Sequence, residues 1–231
     1  MEIHAGELVE GSRVRFNRCG KKLRTSVAIL SIDTETQMSI TLDQIRDFLR
    51  RYKRRELGKP GLRRAAVLIL LYPKDDELHV LLTRRTEDVE HHKGQISFPG
   101  GSMDDADSDL VVTALREAEE EVGLSKEGPQ VLGLFDEYET PSGFAITPVI
   151  AYAGSLPPLK ENAIEVAEII EVPLSVFLDA RNERIEKRKR MGVLLDVYFY
   201  RYAHREIWGA TAAILRAFLH SVRAQHPVGR V

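Results

Sequence analysis

Gly100-Gly101-Ser102-Met103-Asp104-Asp105-Ala106-Asp107 is followed, after the segment 108–115, by Arg116-Glu117-Ala118-Glu119-Glu120-Glu121-Val122-Gly123-Leu124. A glycine turn here feeds a segment of helical period. Glu117, Glu120 and Glu121 stand at i, i+3 and i+4, so they project from one side of a helix. Each like-charged pair at such spacing opposes the helix by about 0.2–0.5 kcal/mol. A chain that keeps three together is expected to hold a cation. Val111, Leu115, Ala118 and Val122 form an apolar stripe lying roughly 130° around the helix from the glutamates. One face is therefore expected to dock on a core and the other to stay open to solvent and metal. Asp107, Ser108 and Asp109 are alternative N-caps, and Gly123 suits a left-handed helix end. Oxygen-only ligands select hard cations, with Mg²⁺ the first choice and Mn²⁺ the second, and no Cys/His cluster points to zinc. A solvated acidic face would explain the glutamates alone. It leaves the glycine turn, Arg116 and Gly123 at their fixed offsets unexplained.

Working outward, Thr41 and Gln44 read as a capping box before the helical stripe Leu42, Ile45, Phe48 and Leu49. The basic run Arg50, Arg51, Lys53, Arg54, Arg55 reads as a solvated helix end favoured by the dipole. Residues 65–72 and 78–83 read as a hairpin around Lys74-Asp75-Asp76. Residues 130–138 and 144–153 form a second strand pair around Pro141-Ser142-Gly143. A short helix is expected over 174–179, a strand over 193–202 and a last helix over 209–222. The segment 181–190 reads as a solvated charged loop, and Trp208 and Phe218 as core. Strands interleaved with helices imply an α/β fold, a mixed sheet covered on both faces.

With 231 residues, 43% of them hydrophobic and 29% charged, the chain suits one globular domain with an extension. A formal net charge of −2 gives no general attraction to nucleic acid or an anionic membrane. The single cysteine, Cys19, excludes an internal disulfide and fits a reducing compartment. No apolar run reaches the ~18 residues of a membrane span, and residues 1–16 lack a signal-peptide core. The expected location is cytoplasmic. Residues 1–37 read either as carrying short strands at 14–16 and 27–30 or as an extension before a start at Met38; 38–222 are expected to form the main domain and 223–231 a tail.

Residues Arg116–Leu124 fit every specified position in the second half of the Nudix hydrolase signature, and the chain resembles that family. The first half departs from it. The signature's glycine would fall on Ser102 and its first glutamate on Ser108, whereas Gly101 lies one residue early and Asp107 is the nearest acid. This longer loop is similar to the coenzyme A pyrophosphatase branch, whose upstream motif is matched in spacing by Leu81-Leu82-Thr83-Arg84-Arg85-Thr86, Glu90, Gly94 and Phe98-Pro99-Gly100-Gly101. Thr86 stands for a serine and Glu90 for an arginine. Thr140–Phe144, Thr147-Pro148-Val149, Val172-Pro173-Leu174 and Ile207–Thr211 also resemble this branch.

The resemblance implies an α/β/α sandwich with a mixed sheet and a Mg²⁺- or Mn²⁺-dependent pyrophosphatase. It implies Glu117, Glu120 and Glu121 as metal ligands, with Glu120 also catalytic. Arg116 is expected to orient Glu120 across one helical turn. A general base is expected from a distant loop, Glu165 first and Glu168 second. Arg84, Arg85, Gly94, Phe98, Gly100 and Gly101 are the expected substrate contacts, while His91 and His92 read as loop surface. The implied substrate is coenzyme A or a derivative. Another nucleoside diphosphate derivative (ADP-ribose, a dinucleotide) and a non-catalytic Nudix-like binding module remain as alternatives. The partners expected are a small-molecule substrate, no nucleic acid and no membrane, with a homodimer kept as a possible assembly.

Overall fold

The computed structural model describes residues 39–87, 94–190 and 192–226. The expectations for residues 1–37, Glu90, His91 and His92 lie outside them. The described residues fall in one compact unit, Glu35–Val231.

Helix α1 (Leu42–Arg51) starts at the expected capping box, with Thr41 and Gln44 each accepting from the other's backbone amide. Strand β1 (Arg63–Lys74) turns through Asp75 and Asp76, at φ 50° and 63°, into β2 (Glu77–Arg85). Two successive positive φ angles match the right-handed twist of a tight hairpin, and Asp tolerates them better than most residues. Two short strands follow, β3 (Ile96–Ser97) and β4 (Gly100–Ser102), then helix α2 (Leu110–Val122). Next come β5 (Gln130–Leu134), β6 (Tyr138–Glu139), β7 (Phe144–Tyr152) and β8 (Val166–Pro173). The chain continues with α3 (Ser175–Leu178), β9 (Glu183–Arg190), β10 (Val193–Tyr202), β11 (Arg205–Trp208) and α4 (Ala210–Gln225).

The sheet built on β1 is mixed. β1 runs parallel to β7 and antiparallel to β2 and β4, and β8 pairs antiparallel with β2. Alternate residues of β1 feed two cores, because strand side chains alternate in direction. Leu68 and Leu70 pack with Leu110, Ala114, Ala118 and Val122 of α2. Ile69 and Leu71 belong to the opposite core, with Phe48 of α1 and Leu215 and Phe218 of α4. Helices thus cover both faces, as the strand-and-helix pattern predicts, and the fold is an α/β/α sandwich.

Two expectations are corrected. The segment 183–190 is not a loop: β9 pairs along its length with β10 in a three-stranded sheet, order β11-β10-β9. Its side chains are almost all charged, so no apolar alternation announces it; a Lys/Arg-rich edge strand also resists pairing with other chains. Trp208 is 37% exposed rather than core. Its ring lies 5.9 Å from that of its cross-strand partner Phe199 and nearly parallel to it.

Candidate functional site

The site forms where β2, the β3–β4 turn, α2 and the loop before β8 meet. Gly100 and Gly101 pair with Val67 and Ala66 of β1. A Cβ on Gly100 would sit 2.4 Å from the Ala66 carbonyl oxygen, so close backbone approach demands glycine there. A Cβ on Gly101 would sit 2.4 Å from Oε1 of Glu117. The second glycine therefore leaves room for a carboxylate rather than for backbone.

Asp109 is the N-cap of α2, accepting from the Val111 and Val112 amides, and Gly123 ends the helix at φ 69°. The buried side differs from the expected stripe. Leu110, Ala114, Ala118, Glu121 and Val122 are buried, while Val111 and Leu115 are only partly covered. This rotation draws one glutamate into the core. Glu121 has a side chain only 4% exposed, Glu117 17% and Glu120 54%. The three carboxylates fan from core to solvent instead of sharing one open face.

Asp107, one of the three expected N-cap alternatives, is not the cap but a hub beside Arg116. Its buried carboxylate accepts from the Asp104 amide, the Thr113 hydroxyl, and Nε and Nη2 of Arg116 at 3.0 Å each. The fork-shaped pairing is the strong form of a charged hydrogen bond. The hydrogen bonds from Arg116 outweigh burial and hold the Asp107 carboxyl well below the usual carboxylate range. Arg116 also donates through Nη2 to the Ser102 carbonyl, and its Nη1 lies 3.0 Å from Glu117 and 3.1 Å from Glu120. The expected Arg116–Glu120 contact is therefore present, but Asp107 and Ser102 fix the guanidinium. The available signal was the position of Asp107 one residue before the signature's first glutamate.

Glu121 is the most stressed group. Its Oε2 is buried without a hydrogen-bond partner among the described residues. Burial pushes its carboxyl up to about 8 against the pull of Arg85, and nearby Glu117 and Glu165 push the same way. Burial also raises Glu117, opposed by Arg116 and reinforced by Glu120 and Glu165. Arg85 reaches the site from β2, its Nη1 3.7 Å from Oε1 of Glu121.

Glu165 arrives on a stapled loop. The Lys160 and Asn162 amides donate to the carbonyls of Val122 and Glu121 at the end of α2. The Thr86 amide donates to the Glu165 carbonyl, and the Thr86 hydroxyl to that of Ile164. These bonds join the ends of α2 and β2 to the loop and bring Glu165 within electrostatic reach of Glu117 and Glu121.

Arg84, Glu168 and Phe98 are placed apart from this group. Arg84, one residue from Arg85, belongs to the opposite sheet face and pairs with Glu168. Glu168 is thereby engaged by Arg84 and Arg205, away from Glu121. Phe98, expected at the substrate, is 2% exposed and belongs to the core cluster that includes Ile96 and Ile207. Gly94 takes φ 63° beside the Glu87 side chain, where a Cβ would stand 2.6 Å from Oε1 of Glu87.

Among the described residues, no three His, Cys, Asp or Glu side chains converge closely enough as placed to hold a metal ion. The donor chemistry nevertheless fits a hard cation. Glu121 carries a buried oxygen without a partner, Glu117 neighbours it, and every donor is a carboxylate.

The arrangement therefore brings together a buried carboxylate on a helix, a glycine turn that leaves room for its neighbour, and the paired arginines Arg85 and Arg116. Comparison with known proteins gives the family. The NUDIX domain profile matches residues 62–191, and the chain belongs to the Nudix family, as a hydrolase acting on diphosphate bonds. It is 41% identical over 164 residues to "Uncharacterized Nudix hydrolase NudL" of Photorhabdus laumondii, covering 70% of this chain and 86% of that protein. The Pectobacterium atrosepticum protein of the same name is 40% identical, over 66% of this chain and 79% of that one. Among solved structures, the Nudix hydrolase RenU of M. smegmatis is 30% identical with a TM-score of 0.42, covering 49% of this chain and 71% of that one.

Proposed function

We propose that this chain is a Mg²⁺- or Mn²⁺-dependent pyrophosphatase of coenzyme A or its derivatives, yielding 4′-phosphopantetheine (or its acyl form) and adenosine 3′,5′-bisphosphate. The observation that carries this reading is the meeting of two sequence motifs in space. The segment 81–101 delivers Arg85 to Glu121 and Gly101 to Glu117.

Glu117, Glu120 and Glu121 are the residues that would hold the metal. When bound, the cation neutralises diphosphate charge and lowers the pKa of a coordinated water. Asp107 and Arg116 set the direction of Glu117 and Glu120. Glu165 is the group to accept the proton of the attacking water as it adds to one phosphorus. The P–O bond to the other phosphate then breaks, and that phosphate leaves with the electron pair. Arg85, beside Glu121, would balance charge on the diphosphate, and the buried setting of Glu121 would strengthen electrostatic contacts there. The domain assignment of residues 38–222 and a cytoplasmic location belong to the same reading; among the described residues, no helix is long and apolar enough to cross a membrane.

A second reading, another nucleoside diphosphate derivative such as ADP-ribose or a dinucleotide, is favoured by Glu90, an anion where the resembled motif has a cation. Incubation with Mg²⁺ or Mn²⁺ and a panel of coenzyme A, NADH, ADP-ribose and nucleoside triphosphates, with products separated by chromatography, decides between them. Cleavage of coenzyme A into the two named products is expected. Cleavage of another member with coenzyme A untouched selects the second reading, and cleavage of none leaves a binding module.

A further inference from the structure

Glu165 stands where the β2–β8 ladder runs out. The last pair of that ladder is Arg85 with Val166, just past a bulge, so Thr86 and Glu165 lie immediately beyond it. From there a chain of hydrogen bonds continues to α2. The Glu165 carbonyl accepts from the Thr86 amide at 2.9 Å. The Asn162 carbonyl accepts from the amides of Glu165 and Val166 at 2.9 and 2.8 Å, and the Asn162 amide donates to the Glu121 carbonyl at 2.9 Å. Thr86 adjoins Arg85, whose Nη1 lies 3.7 Å from Oε1 of Glu121. The circuit therefore returns to the residue at which it ended.

Two side chains secure the intervening residue. The Thr86 hydroxyl donates to the Ile164 carbonyl at 2.8 Å, and Oδ1 of Asn162 accepts from the Ile164 amide at 3.2 Å. Ile164 itself is 78% exposed, so hydrogen bonds rather than packing hold it. Thr86 is 8% exposed, so water does not readily replace its hydroxyl, and losing that donor leaves an acceptor without its partner.

We propose that Thr86, with Asn162, is a positioning residue that fixes the Glu165 carboxylate beside Glu117 and Glu121. The inference rests on the reading of the chain as a pyrophosphatase in which Glu165 takes the proton of the attacking water. It adds the residues that hold that group in place and ties them to the strand carrying Arg85. Glu165 also acts electrostatically on Glu117 and Glu121, so its placement bears on any cation held there.

The test is a double-mutant cycle. It measures kcat and KM on the panel member that wild type cleaves, and Mn²⁺ affinity by calorimetry, with Tm as a fold control. The proteins are wild type, Thr86→Val, Thr86→Ser, Glu165→Gln and the Thr86→Val, Glu165→Gln double variant. Thr86→Val is expected to lower kcat about tenfold or more with little change in KM, the scale of a misplaced reacting group. Thr86→Ser keeps the hydroxyl and is expected to restore most of that loss. In the Glu165→Gln background the Val substitution is expected to cost less than about twofold, because residues acting through one another are not additive. A purely structural role, pinning β2 to the loop, costs the same factor with and without the Glu165 carboxylate, and that result overturns the proposal. If Thr86→Val does not fold, Asn162→Ala, which removes the exposed bond from the Ile164 amide, takes its place in the cycle. If wild type cleaves no substrate, the pyrophosphatase reading fails separately and the cycle is read in Mn²⁺ affinity. Weakening by Thr86→Val that disappears in the Glu165→Gln background upholds the positioning role. Affinity indifferent to Thr86, or additive losses, overturns it.

Discussion

Helix α2 and strand β9 are both crowded with charge, and the fold uses them in opposite ways. At α2 several charges are drawn inward: Glu121, and Asp107 just before the helix, are buried and Arg116 is 17% exposed. In β9 most stay in water, Glu183 beside Arg216 being the exception. Lys187 pairs with Asp196 while both are 66% and 42% exposed, and Arg184 and Arg188 lie over the face of Phe199. Exposed pairs contribute little because solvent screens them. Buried ones are costly to leave unmatched, so they force specific partners into place. Charge density alone does not distinguish a site from a solvated edge; burial does.

The comparison breaks first at the glutamates. Glu121→Gln or Glu117→Gln is expected to lower kcat by about 10²-fold or more, the scale at which even supporting residues around a metal act. Steady-state kinetics with circular dichroism as a fold control checks this, and near-wild-type activity would remove them from the chemistry. Gly101→Ala follows. The new Cβ would meet Glu117 Oε1 at 2.4 Å, a flexible side-chain end that can move away. An activity loss of roughly tenfold or more with little change in Tm is expected. Gly100→Ala meets backbone instead, and should lower Tm clearly.

Asp107→Asn sharpens the contrast in stability. Breaking a buried pair from one side costs about 3–5 kcal/mol, so Tm should fall by roughly 10 °C. The sign with pH follows from its depressed carboxyl. The stabilisation is fully present above the ordinary value near 3.8 and is lost as pH falls through the lower folded value. Acid unfolding of wild type should therefore contain a limb below about pH 4 that the Asn variant lacks. The smallest effect is expected in β9: Lys187→Ala or Asp196→Ala should change stability by no more than ~1 kcal/mol, measured by urea unfolding. A larger loss would mean the hairpin's charges hold more of the fold than their exposure indicates.

Much of this contrast was legible beforehand where local rules apply. The Thr41–Gln44 box, the Asp75–Asp76 turn, Gly123 and the spacing of Arg116–Leu124 depend on neighbours in sequence, and each appears where local chemistry predicts it. Strand β9 was illegible because its pairing with β10 is carried by backbone hydrogen bonds that charged side chains do not advertise. Trp208 looked like core by type, yet on β11 it stacks on Phe199 and stays 37% exposed.

Sequence by itself determined the family, the α/β class and the group of acids on one helix, because helical period and motif spacing are one-dimensional quantities. Tertiary structure alone decided that Glu121 is buried while Glu120 is not, since only the sheet beneath α2 sets how the helix is rotated. It also split Arg84 from Arg85 and tied Asp107 to Arg116. Strand alternation and packing assign those partners, and neither a face nor a neighbour across space is written in residue order.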